Sequence, residues 1–227
     1  MRYKIFGETL PAVSMLLEPG ESIYTESGGM TWMSDGFQME TNMKGGFGKG
    51  IGRLFSGESM FMATYTSTRP NSEICCASSF PGTIVPLSLT PGSDYICQKG
   101  AFLCAQPGVT LSATTSRSVS GAFFGGEGFI LQRVTGNGMV FLELDGTVVE
   151  RTLQPNEIIK VDTGNVACFE ASVSYEVERI KGFKNIFFGG EGLFLTVLRG
   201  PGKVWLQTIN ISQVAGRLSP YFGKNND

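Results

Sequence analysis

The chain has 227 residues, 41% hydrophobic and 17% charged, with a net charge of −2 at pH 7. That length suits one large domain or several small packed repeats, and the charge balance supplies no global positive field to recruit nucleic acid or an acidic membrane. Histidine is absent, which excludes Ser-His-Asp and Cys-His nucleophiles, HExxH metalloprotease chemistry and the commonest metal ligand.

Residues 1–21 contain no apolar run of signal-peptide length, being interrupted by Pro11 and Glu18. Nowhere does an apolar run approach the ~20 residues of a membrane helix, so a soluble cytoplasmic protein is expected. Five cysteines, with Cys75 and Cys76 adjacent and no CxxC, suggest neither a disulfide framework nor a zinc site. Neighbouring residues of a strand face opposite ways, so this pair is expected to pack rather than to bond.

Three segments align: "LEPGESIYTESGGMTWMSDGFQME", "LTPGSDYICQKGAFLCAQPGVTLS" and "LQPNEIIKVDTGNVACFEASVSYE". Their prolines, Pro19, Pro91 and Pro155, are offset by 72 and 64 residues. The same offsets relate Ile23, Tyr95 and Ile159, then Gly28, Gly100 and Gly164, then Trp32, Cys104 and Cys168. Agreement at every second position is the mark of one strand face used three times. Turn-forming Gly, Pro, Asn and Asp separate the apolar runs, and no helical period is sustained. The expected fold is all-β: three tandem β-sandwich-like repeats around a pseudo-threefold axis, at residues 10–80, 81–146 and 147–211. About seven short strands are expected per repeat, from typical strand length. In the tail, residues 212–227, "SQVAGRLSPYF" predicts a short helix with Ser212 as N-cap and Pro220 as its stop. Trp32, its counterparts Cys104 and Cys168, and Trp205 are read as core positions.

The loop "GGFGKGIGR", Gly45 to Arg53, matches neither a Walker phosphate loop nor GxGxxG. Lys49 and Arg53 remain candidates for contact with a phosphate or a partner chain. Lys181 and Lys184, with Arg179, form a small basic group whose usual meaning is a solvated face. A glycine-rich motif then recurs, "FFGGEGFILQRV" from Phe123 and "FFGGEGLFLTVL" from Phe187, with a weaker copy "LFSGESMFMATY" from Leu54. Its glycines read as tight turns and its aromatics as core. The apolar triplets Met60–Met62, Phe129–Leu131 and Leu193–Leu195 predict strands buried on both faces, with Phe61, Ile130 and Phe194 inside. Glu58, Glu127 and Glu191 recur at one motif position. They are candidate junction clamps accepting backbone hydrogen bonds, or a ring binding a cation near an axis.

The quoted motifs, with "LPAVSMLLEPGESIYTESGGMTWMSDGFQMET" and "KGGFGKGIGRLFSGESMFMATYTS", carry a resemblance over nearly the whole chain. It resembles the altered-inheritance-of-mitochondria protein 24 family, in its uncharacterised bacterial and archaeal branch. The resemblance implies a fold similar to the tryptophan RNA-binding attenuation protein (TRAP-like), built from double-stranded β-helix units. It implies a link to mitochondrial biogenesis for some members and supplies no catalytic residue set. A non-catalytic scaffold or interaction protein is therefore expected, with no cofactor and no resident metal. Its partner would be another protein or a second copy in a homo-oligomer, not nucleic acid. The alternatives are a small-ligand or cation-binding module at the repeat junctions, and an enzyme using carboxylates.

Overall fold

A computed structural model of the chain describes residues 1–26, 28–43, 61–114, 130–179 and 194–222. The fold is all-β with one short helix near the C-terminus. Strand β1 (Arg2–Phe6) comes first. Between residues 10 and 80 lie β2 (Ala12–Leu17), β3 (Ser22–Glu26), β4 (Met30–Met33), β5 (Phe37–Met43), β6 (Phe61–Ser67) and β7 (Ser72–Ala77). Between 81 and 146 lie β8 (Gly82–Leu89), β9 (Tyr95–Gln98), β10 (Phe102–Ala105), β11 (Val109–Ala113), β12 (Leu131–Gly136) and β13 (Gly138–Asp145). Between 147 and 211 lie β14 (Val148–Leu153), β15 (Ile158–Asp162), β16 (Val166–Glu170), β17 (Ser174–Arg179), β18 (Phe194–Arg199) and β19 (Gly202–Gln207). Each range thus holds six strands among the described residues, one fewer than expected.

Local chemistry recurs at the expected offsets. After Pro19, Pro91 and Pro155 the next residue is left-handed in each case: Gly20 at φ 85°, Gly92 at φ 90° and Asn156 at φ 66°. Glycine adopts this conformation without steric cost, and Asn tolerates it best among the rest. The pairs β4–β7, β10–β13 and β16–β19 each run antiparallel with a register shift at one place: Met30/Trp32, Phe102/Cys104 and Val166/Cys168.

The chain divides into two compact units. The first comprises Met1–Pro91, Phe102–Thr110 and Gly136–Glu143. It carries the sheets β1-β2-β7-β4 and β5-β6-β3-β10-β13-β8. Their facing sides share a core of Val13, Met15, Leu17, Ile74 and Cys76 from one sheet with Ile23, Tyr65, Leu103 and Phe141 from the other. Burying a large apolar side chain stabilises by about 1.5–3 kcal/mol, so this sandwich is held chiefly by that layer. The second unit comprises Gly92–Ala101, Leu111–Thr135 and Leu144–Asp227. It carries the sheets β11-β12-β9-β16-β19-β14 and β15-β18-β17. Ile96, Leu131, Val166, Phe169 and Val204 meet Leu198 and Val173 in its core. In it helix α1 (Ile211–Leu218) follows β19.

Several expectations are corrected. Strand β6 alternates, with Ala63, Tyr65 and Ser67 buried and Met62, Thr64 and Thr66 half-buried, so one face is covered and not two. Ile130 is 40% exposed. It precedes β12, whose first residue, Leu131, is the one that enters the core. Phe61 and Phe194 begin their strands with side chains outside the description. Trp32 is exposed, unlike Cys104 and Cys168 at the matching offsets. Asn210, not Ser212, caps α1: its side-chain oxygen accepts from the amide of Gln213 at 2.9 Å. Pro220 sits in the single 3-10 turn that follows.

Candidate functional site

The residues singled out from sequence, Glu58, Glu127, Glu191, Lys49 and Arg53, lie outside the described residues, as do Lys181 and Lys184. Their flanks are described. Each motif-bearing segment joins strands that are neighbours in a sheet: β5 to β6, β11 to β12 and β17 to β18. Among the described residues, chemistry-bearing side chains gather in four places.

The first is a carboxylate–lysine group in the second unit. Strands β14, β16 and β19 bring Glu150, Glu170 and Lys203 together. The Lys203 ammonium bonds Glu150 Oε1 at 2.7 Å, and its backbone amide donates to Glu170 Oε2 at 2.8 Å. Trp205 Nε1 donates to Glu150 Oε2 at 3.0 Å, and its ring meets Tyr95 edge-on at 5.8 Å between centroids. The hydrogen bond that Lys203 donates to Glu150 raises the Lys203 pKa further, which keeps that amine cationic and unfit as a base at neutral pH. Burial, then the charge of Glu170, raises the Tyr95 phenol. Sequence reading placed Trp205 in the core, and it is buried. It missed the carboxylates around it, because Glu150 and Glu170 read as ordinary strand-surface residues.

The second place is an amide network beside α1. Gln98 Nε2 donates to the carbonyls of Gly164 (3.1 Å) and Val166 (2.7 Å). Gln207 Nε2 donates to the same Gly164 carbonyl at 3.0 Å, while its Oε1 accepts from the amide of Asp145 at 3.1 Å. Asn165 Nδ2 donates to the Gln207 carbonyl at 2.7 Å, and Gln213 Nε2 donates to Asn165 Oδ1 at 3.2 Å. Every buried side-chain N or O among the described residues has a hydrogen-bond partner. A network satisfied in this way fixes backbone geometry rather than awaiting a ligand.

The cysteines form the third place. All five are free and buried. Cys97 stands opposite Cys168 across β9 and β16. Burial pushes the Cys97 thiol up to about 12 and the Cys75 thiol up to about 11. Cys104 and Cys168 are likewise raised, first by burial. Thiols are nucleophilic as thiolates, so these four are inert at neutral pH. Among the described residues no cluster of three or more Cys, Asp or Glu is arranged to hold a metal ion.

The fourth place is an apolar face. Ile5, Val13, Met15, Ile74 and Cys76 point into the first unit's core, so alternate residues of sheet β1-β2-β7-β4 face outward. There the rings of Phe6 and Trp32 lie 6.2 Å apart, 40% and 44% exposed. Trp32 stands opposite Cys75, while the neighbouring Met33, opposite Ile74, turns to the other face and is 39% exposed at the strand's end. No helix among the described residues is long and apolar enough to cross a membrane.

Comparison with known proteins adds identity. An uncharacterised protein of Streptococcus pyogenes serotype M6 is 30% identical over 219 residues, 93% of this chain and 86% of that protein. A crystal structure of a Streptococcus pyogenes protein from a structural genomics programme superposes with a TM-score of 0.78 at 27% identity. It covers 97% of this chain and 99% of the other. The family model described as Mitochondrial biogenesis AIM24 matches residues 3–209, and the chain belongs to that family.

Proposed function

We propose that the chain is a non-catalytic, cytoplasmic scaffold or interaction protein, built from three tandem β-sandwich-like repeats at residues 10–80, 81–146 and 147–211. The observation that carries this reading is the outward apolar face bearing Phe6 and Trp32. Exposed aromatic side chains grouped on one face of a sheet are costly in water and are typical of protein contact surfaces. The polar groups support the same reading from the other side. Glu150 and Glu170 are engaged by Lys203 and Trp205, whereas a carboxylate enzyme needs one of its pair available to a substrate. A pseudo-threefold arrangement of these repeats belongs to the same reading, supported by the turns and register shifts that recur at offsets of 72 and 64 residues.

Affinity capture of the endogenous protein, wild type beside Trp32→Arg, tests this, with mass spectrometry of what is retained. The reading predicts a reproducible protein set that the variant loses. Retention unaffected by the variant, together with turnover of a compound from a metabolite extract that Glu150→Gln abolishes, would replace it with the enzyme reading.

A further inference from the structure

The sheets are shared along the chain in a repeating way. Strand β3 pairs antiparallel with β10, Thr25 opposite Cys104 and Tyr24 opposite Ala105. Strand β9 pairs antiparallel with β16, Cys97 opposite Cys168 and Ile96 opposite Phe169. Thr25 and Cys97 are 72 residues apart, Cys104 and Cys168 are 64 apart, and the two ladders have one register. A further step of 64 takes Cys97 to Val161 in β15, and a step back of 72 takes Cys104 to Trp32 in β4. Of the six strands related by these offsets (β3, β9, β15 and β4, β10, β16), those two are the ones that end a sheet among the described strands. Among the described strands β4 ends its sheet beside β7, and β15 ends its sheet beside β18.

Exposure follows the pairing. Cys104 and Ala105 of β10 are fully buried, and Cys168 and Phe169 of β16 are buried to within 1%. Trp32 and Met33, at the matching places in β4, are 44% and 39% exposed. On β15, Ile158 is 44% exposed. An edge strand with apolar side chains is a template for another strand, and strand addition supplies main-chain hydrogen bonds together with side-chain pockets.

We propose that β4 of one molecule pairs antiparallel with β15 of a second copy, Trp32 opposite Val161 and Met33 opposite Lys160. The inference deepens the interaction reading by naming the partner for the same surface. The occupant is a second copy because this chain already builds the β15-type to β4-type ladder twice, in one register. The contact is head-to-tail, so each copy keeps one free edge until a ring closes or a filament grows. Lys160 belongs to the design of such an edge. It is ion-paired to Glu178 at 2.7 Å, and a lysine on an edge discourages pairing in registers that would bury its ammonium.

Light scattering on the full chain over a wide concentration range tests the proposal, with Trp32→Arg in parallel. The wild type is expected to exceed the 24.5 kDa of one chain and to grow with concentration. The variant should remain a monomer while keeping the wild-type circular dichroism spectrum. The double variant Trp32→Cys/Val161→Cys, oxidised, should run as a covalent ladder of dimers and larger species on a non-reducing gel. A monomeric wild type, or a disulfide formed only within single chains, overturns the proposal. A monomer that still captures a different protein through Trp32 would overturn it while leaving the interaction reading standing. A monomer whose retained proteins are indifferent to Trp32→Arg would remove both.

Discussion

Glu21 and Glu157 show how single residues set the turns. Each folds back over its own loop: Glu21 Oε2 accepts from the amide of Glu18 at 2.9 Å, and Glu157 Oε2 from that of Gln154 at 2.8 Å. Glu21 also takes the N-terminal ammonium of Met1 at 2.7 Å. That hydrogen bond, followed by the one from the Glu18 amide, lowers its pKa. A carboxyl with a depressed folded-state pKa contributes stability that is complete above its unfolded value and is lost as pH falls through the folded one. The pair is partly exposed and screened, so the contribution at neutral pH is about 1 kcal/mol or less. Glu21→Gln should therefore lower the melting temperature at pH 7, and the gap from wild type should close on acidification below the usual glutamate range. A gap that stays constant with pH would show that the charge plays no part. The cysteines give a second test at this scale. An aromatic disulfide reagent should leave all five thiols unreacted in the native protein on the timescale of minutes and label all five in denaturant. Rapid native labelling of any of them would mean that its burial is misplaced.

Strand positions were legible in the sequence because they depend on local chemistry. Pro19, Pro91 and Pro155 with their left-handed successors mark one turn each, and β3, β9 and β15 begin within four residues after them. Less legible was which face of a strand is covered. Three apolar residues in a row at Phe129–Leu131 suggested burial on both faces, yet Ile130 precedes β12 and is exposed, while Leu131 packs inside. Composition cannot locate a strand's first residue to within one position, and one position reverses the face. Leu131→Ala should consequently cost about 2–5 kcal/mol in denaturant unfolding, the range for a core truncation. Ile130→Ala should cost well under half of that. Equal losses would contradict the placement of the strand. The cap of α1 illustrates the same limit: Asn210 and Ser212 are both competent N-cap residues, and only the backbone decides between them.

At the scale of the molecule, periodicity reports a residue's face but not which strand lies alongside. The joining of β3 to β10 and of β9 to β16 could not be read from offsets, and neither could the exposure of Trp32, since its counterparts Cys104 and Cys168 are buried by that joining. The central claim is that one ladder, made twice within the chain, is left open at β4 and β15 and is completed by a second copy. Hydrogen-exchange mass spectrometry across a protein concentration series tests it most directly. The account predicts that amides of Met30–Met33 and Ile158–Asp162 gain protection together as concentration rises, while those of β10 and β16 are protected throughout. Exchange at β4 and β15 that does not change with concentration would contradict it.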